Sequence, residues 1–179
     1  MRRDEVTTAS THIDQLPIFM SSTTPVTGFS ELYGRHYEAV FRAALRVTGN
    51  PADAEDVLQT VFLRVLARGG DVEDVALPAA YFKRAAVNAA VDVLRRRELR
   101  AESGYENDAP HAVVQHPLLK ERLRRALAVL DREDATLFLL RHVEGLSNEE
   151  LAAMFEIEKN NVAVRLHRIR LRLQAEMER

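Results

Sequence analysis

Cysteine is absent from the 179-residue chain. That excludes disulfides, thiolate metal sites and a cysteine nucleophile, and it fits a reducing, cytoplasmic setting. Glycine (7) and proline (6) are sparse, which leaves little room for a turn-rich β fold. No apolar run reaches the roughly 18 residues that a membrane span needs, and Leu16–Met20 is too short for a secretory core. The 6 histidines are scattered, with no H-E-x-x-H pair, so neither a metal centre nor a cofactor is expected. A G-x-S-x-G elbow and a phosphate-cradling glycine loop are missing too, so a small helical enzyme with catalytic residues has little support. Nor is there an excess of positive charge. With 25 Lys and Arg against 27 Asp and Glu the net charge is −2, which argues against coating DNA by bulk electrostatics.

What the chain does contain is Arg, Ala, Leu and Glu, 46% hydrophobic and 29% charged residues, so helices around an apolar core are the default. The pattern predicts an all-α fold of two small helical domains joined by a flexible linker, the C-terminal domain a helix-turn-helix. Residues 1–28, rich in Thr and Ser and without a period, read as a disordered leader, and Met20 is an alternative start. Apolar spacing predicts a first helix over 29–48, with His36 packed in its stripe. Gly49 ends it, and Asn50-Pro51 caps and opens a second. There Ala54, Val57, Leu58, Val61, Val65 and Phe62 face the core. Asp56, Gln59, Thr60 and Leu63 share another face, either a solvated edge or a partner-docking mixture of acid, amide and leucine.

Gly69-Gly70 stops the second helix, Asp71–Leu77 forms an acidic loop, and Pro78 opens a third helix. Phe82, Ala85, Ala86, Ala89 and Val93 pack inward, while Tyr81, Arg84, Asn88, Asp92 and Arg95 line a different face. Helix-dipole complementation accounts for part of the Arg95-Arg96-Arg97 cluster, and Asn88 and Asp92 could bond to neighbouring arginines. An aromatic, an amide and arginines on one face also suit stacking and phosphate contact on unpaired DNA. Residues 101–116 lose all period and read as an inter-domain linker. From Pro117 one helix carries Leu119, Leu123, Ala126, Leu127 and Leu130, and Asp131 caps the next.

The stretch Ser147–Arg170 reads as two short helices around a turn at Glu156–Glu158. Ser147 and Glu150 form a capping box, and Ile157 plugs the turn. In the second of these helices Val162, Leu166, Ile169 and Leu173 repeat on one face. Burying that stripe turns Asn160, Ala163, Val164, His167 and Arg168 outward, with Asn161 and Arg165 on a flank. Amide and small side chains can reach base edges, and arginine can fork onto guanine or grip phosphate. An ordinary helical hairpin with a solvated basic face would show the same pattern.

Taken together, N-P-A-D-A-E-D-V-L-Q-T-V-F-L-R-V-L, Y-F-K-R-A-A-V-N-A-A-V-D-V-L-R-R-R, and V-E-G-L-S-N-E-E-L-A followed by V-A-V-R-L-H-R-I-R resemble an extracytoplasmic-function (ECF) sigma factor of bacterial RNA polymerase. The resemblance implies a region 2 over 29–100 and a region 4 over 117–179. It implies that Asp56, Gln59 and Phe62, with Leu63 beside them, bind core polymerase. Tyr81, in place of a usual Trp, with Arg84, Asn88, Asp92, Arg95 and Arg96, would read and melt the −10 element. Asn160, Asn161, Val164, Arg165, His167 and Arg168 would lie on the helix entering the major groove at −35. The implied partners are core RNA polymerase, promoter DNA and an anti-sigma factor. Thr60 replaces a usual acid, Glu156 a common turn glycine, and Ala163 a frequent basic residue, so promoter preference does not transfer from better-known members. The competing class is a stand-alone helix-turn-helix regulator, which would bind a palindrome as a dimer without polymerase.

Overall fold

The computed structural model describes residues 26–67, 78–103 and 117–178. Most of the expected leader, residues 104–116 of the expected linker, Gly69-Gly70 and the acidic stretch Asp71–Leu77 lie outside the described residues. Among the described residues there are seven helices and no strand: α1 (Val26–Thr48), α2 (Pro51–Ala67), α3 (Pro78–Glu102), α4 (Pro117–Val129), α5 (Arg132–His142), α6 (Asn148–Phe155) and α7 (Lys159–Met177). No described helix is long and apolar enough to cross a membrane.

The first helix begins three residues before the expected 29, and α3 runs on to Glu102 before a turn at Ser103. The breaks between elements follow local chemistry. Gly49 adopts φ 66° after α1, a conformation that costs glycine little. Asn50 then caps α2, its side-chain oxygen accepting from the Ala52 N–H at 2.8 Å. Asp131 caps α5 by accepting from the Glu133 N–H at 2.9 Å.

The first three helices enclose one core. Val40, Ala43 and Ala44 of α1, Val57, Val61 and Val65 of α2, and Phe82 and Ala86 of α3 are buried in it. Alanine at facing positions lets the helix axes approach closely. Phe62 joins Phe29, Tyr33 and Phe82 in an aromatic cluster, 4.7 Å from Tyr33 and 5.6 Å from Phe82 between ring centroids. His36 stacks on Phe82 at 4.3 Å and is 8% exposed. Its burial, and then the neighbouring Arg35 charge, pull the imidazole below its ordinary pKa.

The same buried cluster continues through Leu127, Leu137, Leu140, Leu151, Val162, Leu166, Ile169 and Leu173 of α4 to α7. The helix α3 belongs to both halves, packing on α1 and α2 and also on α4 and α5. Its buried residues Phe82, Ala86, Val87, Ala89, Ala90, Val91, Val93 and Leu94 cover a little over half of its circumference, and Arg84, Asn88, Asp92, Arg95 and Arg96 form the remaining polar stripe.

Candidate nucleic-acid interface

The helix pair α6–α7 is set by its two ends. The Ser147 hydroxyl accepts from the Glu150 N–H at 3.2 Å, and the Glu150 carboxylate accepts from the Ser147 N–H at 2.7 Å. These bonds hold the Glu150 carboxyl below its ordinary pKa. At the far end Glu156 lies in the left-handed region, φ 55° and ψ 40°, and its N–H returns to the Ala152 carbonyl. Ile157, half-buried, fills the corner. Helix α7 then buries Val162, Leu166, Ile169 and Leu173.

That burial leaves Asn160, Asn161, Ala163, Val164, His167 and Arg168 exposed. Val164 and, two turns on, Leu171 are 48% and 53% exposed, an apolar track flanked by Arg168 and Arg172 in an open groove. Amide, methyl and guanidinium groups in one groove are what base-edge and phosphate recognition uses. Arg168 makes no ion pair among the described residues, so its charge is available.

Arg165 differs from its neighbours. Its Nε donates to Asp134 at 2.6 Å and its Nη2 to Glu133 at 3.2 Å, while Arg172 reaches the same Asp134 at 3.4 Å. Burial works against its charge, but the bonds to Asp134 and Glu133 prevail and raise its pKa. The sequence places Arg165 on the flank, and the structure turns that flank toward α5. Glu133 and Asp134 escaped notice because acids in the first turn of a helix are explained by its dipole alone.

On α3, Arg95 and Arg96 are exposed, whereas Tyr81, Arg84, Asn88 and Asp92 are half-buried. The Thr136 hydroxyl of α5 donates to Asn88 Oδ1 at 2.6 Å, and Arg132 Nη2 donates to Asp92 at 2.7 Å. Arg84 lies over the Phe155 ring, 4.5 Å from its centroid, and donates to the Met154 carbonyl. Tyr81 packs edge-on against Phe82 at 5.5 Å. Arg97 pairs with Asp53 of α2 at 3.1 Å, which assigns one arginine of the basic cluster to joining two helices.

On α2, Asp56 and Gln59 are exposed and Leu63 is 63% exposed. Phe62, expected both in the core and in the docking set, is 3% exposed with its ring in the aromatic cluster, so it lies beneath that face. Leu66, 44% exposed, extends the face instead. The spacing 56, 59, 63, 66 was the available signal, since steps of three and four residues follow one side of a helix.

An α3 bearing an aromatic, an amide and arginines, followed by a helix-turn-helix, is compatible with a DNA-binding protein, and comparison with known families identifies the class. The description of Sigma-70 region 2 matches residues 32–100, and that of Sigma-70, region 4 matches residues 120–173. The chain is 33% identical over 155 residues to the RNA polymerase sigma-E factor of Streptomyces coelicolor, covering 85% of this chain and 87% of that one. It is 33% identical over 145 residues to the RNA polymerase sigma factor CarQ of Myxococcus xanthus, covering 78% and 83%. With the ECF RNA polymerase sigma factor SigL of Mycobacterium tuberculosis it shares 31% over 143 residues, covering 76% and 81%. Among solved structures, the sigma factor RpoE of Bartonella quintana, in complex with the anti-sigma factor NepR, superposes with a TM-score of 0.50. That match covers 86% of this chain and 98% of that one at 22% identity, and so speaks to the fold. The chain belongs to the sigma-70 family, within its ECF group of RNA polymerase sigma factors.

Proposed function

We propose that this chain mounts bacterial core RNA polymerase and gives it promoter specificity, reading −35 with α7 and reading and melting −10 with α3. The observation that carries the reading is the outer face of α7. Asn161, Val164 and Arg168 are presented together to solvent while the opposite face is locked in a core. Asp56, Gln59, Leu63 and Leu66 supply the polymerase contact, and Arg95 and Arg96 the phosphate contacts at −10. Stacking on unpaired bases offsets part of the few kcal/mol that each opened step costs.

The near-neutral chain binds DNA weakly alone. Docking raises the effective concentration of both reading modules on one duplex. In this reading the chain is an initiation factor and not an enzyme, with all bond-making left to the polymerase, and it works in the cytoplasm where that polymerase is. An anti-sigma factor is the proposed negative partner, supported by the complex in which the Bartonella quintana protein was solved.

Run-off transcription with purified core polymerase on the chain's own upstream DNA tests the proposal, alongside a gel shift with and without core. A transcript and a shift that both require core are expected. A tight dimeric complex with duplex DNA in the absence of polymerase would identify a stand-alone helix-turn-helix regulator instead.

A further inference from the structure

The groove along the outer side of α7 holds two kinds of arginine. Arg168 stands clear of ion pairs among the described residues, whereas Arg165 and Arg172 are tied to acids at the start of α5. We infer that Asp134, with Glu133 beside it, is a specificity determinant for −35. The two acids withhold two guanidiniums from the DNA backbone, so the groove holds a duplex by its bases rather than by bulk charge. The inference rests on the proposed role of α7 and adds residues that lie outside the reading helix.

Asp134 is the hub. Its Oδ1 accepts from Arg165 Nε at 2.6 Å and its Oδ2 from Arg172 Nη1 at 3.4 Å, while Glu133 accepts from Arg165 Nη2 at 3.2 Å. Nε and Nη2 form one edge of the Arg165 guanidinium, the fork that would otherwise grip a phosphate or a guanine. The Asp134 side chain is 15% exposed and that of Arg165 29%, which shields the pair from the water and salt that weaken an open surface pair. Helices α5 and α7 pack on each other, so the pairing travels with the reading helix onto DNA.

Asp134 also lines the groove that Asn161, Val164 and Arg168 share. The charges of Asp134 and Glu133 cancel those of Arg165 and Arg172, and Arg168 is left uncompensated. Were Arg165 to swing out to a phosphate, it would leave bare carboxylates within a Debye length, about 8 Å, of the DNA backbone. A base-reading complex fixes α7 in one register and takes the phosphates where that register puts them. A sequence-independent complex has no register and shifts until its cations find phosphates. Tying arginines to acids therefore penalises the second kind of complex more than the first.

Glu133→Gln/Asp134→Asn keeps the shapes and removes the charges. Native chain and variant, each bound to core polymerase, are titrated with a duplex of the chain's own upstream promoter and with the same duplex scrambled at −35, across about 50 to 200 mM salt. On the scrambled duplex the variant should bind about tenfold more tightly at the lower salt. Its log–log salt slope should steepen by about 1 to 2, because each freed arginine displaces about one counterion. Preference for the promoter over the scrambled duplex should fall about fivefold. Arg165→Gln in the native background should change either affinity by less than about twofold, and in the acid variant it should remove about half of the extra slope. An unchanged slope in the acid variant would overturn the inference. So would a loss of about tenfold from Arg165→Gln alone, since that places Arg165 on the DNA and makes Asp134 its positioning residue. A native complex with core that shows no preference for its promoter would instead sink the functional proposal. The slope of the acid variant on the scrambled duplex without core then decides the charge balance separately.

Discussion

Glu156 is a residue in a conformation its side chain disfavours. At φ 55° it occupies the corner of the helix-turn-helix where glycine would be at ease. A left-handed non-glycine residue costs roughly 1 kcal/mol. Glu156→Gly should recover about that amount and raise the melting temperature by about 2–4 °C, measured by thermal unfolding. An unchanged or lower melting temperature would mean that the carboxylate or the stiffer backbone compensates. His36 carries the pH dependence of the core that α1 to α3 enclose. Its folded-state pKa is depressed, so above about pH 6.5 both states are neutral and its contribution is complete. As pH falls through the unfolded value the unfolded chain takes up the proton first, and stability is lost until the folded pKa is passed. Urea unfolding at pH 7.5 and 5.5 should therefore show a drop on acidification that is smaller in His36→Phe. His142, lowered first by burial and then by Arg170 and Arg141, acts in the same direction and leaves a residual slope.

Two elements carry surfaces that can be separated by mutation. Arg168 stands on α7 clear of any ion pair among the described residues, so its removal leaves the fold alone. Arg168→Ala should weaken promoter binding by the polymerase-bound chain by about 1–3 kcal/mol, the worth of a forked arginine contact, and spare co-purification with core. Equal loss of both would contradict the assignment. Asp56→Ala/Gln59→Ala on α2 should do the reverse, reducing the core polymerase recovered with the chain while melting temperature stays put. If recovery is unaffected, the docking face lies elsewhere. Phe62→Ala is a different experiment, because deleting a ring buried among Phe29, Tyr33 and Phe82 opens a cavity costing about 3–5 kcal/mol.

In the whole molecule, α3 is the shared wall: it builds one core with α1 and α2 and also packs on α4 and α5, where Asn88 and Asp92 pair with Thr136 and Arg132.

How much was legible beforehand follows from the range of the forces involved. The Asn50, Asp131 and Ser147 caps, the turn at Glu156 and the stripe from Val162 to Leu173 were readable because hydrogen bonds and side-chain spacing within a helix act over three or four residues. The motifs around Asp56, Asn88 and Arg168 carried the family in the same local way. What the sequence could not determine were pairings across long stretches of chain. Thr136 meets Asn88 from 48 residues away, Arg132 meets Asp92 from 40, and Arg165 is drawn to Asp134 from 31. Whether Phe62 faced a partner or a core was equally undecided, since a ring at the edge of a helical stripe suits either. Such choices fall to packing, because a charge or a ring settles where the assembled helices place a complement within a few ångströms, and no local pattern encodes that distance.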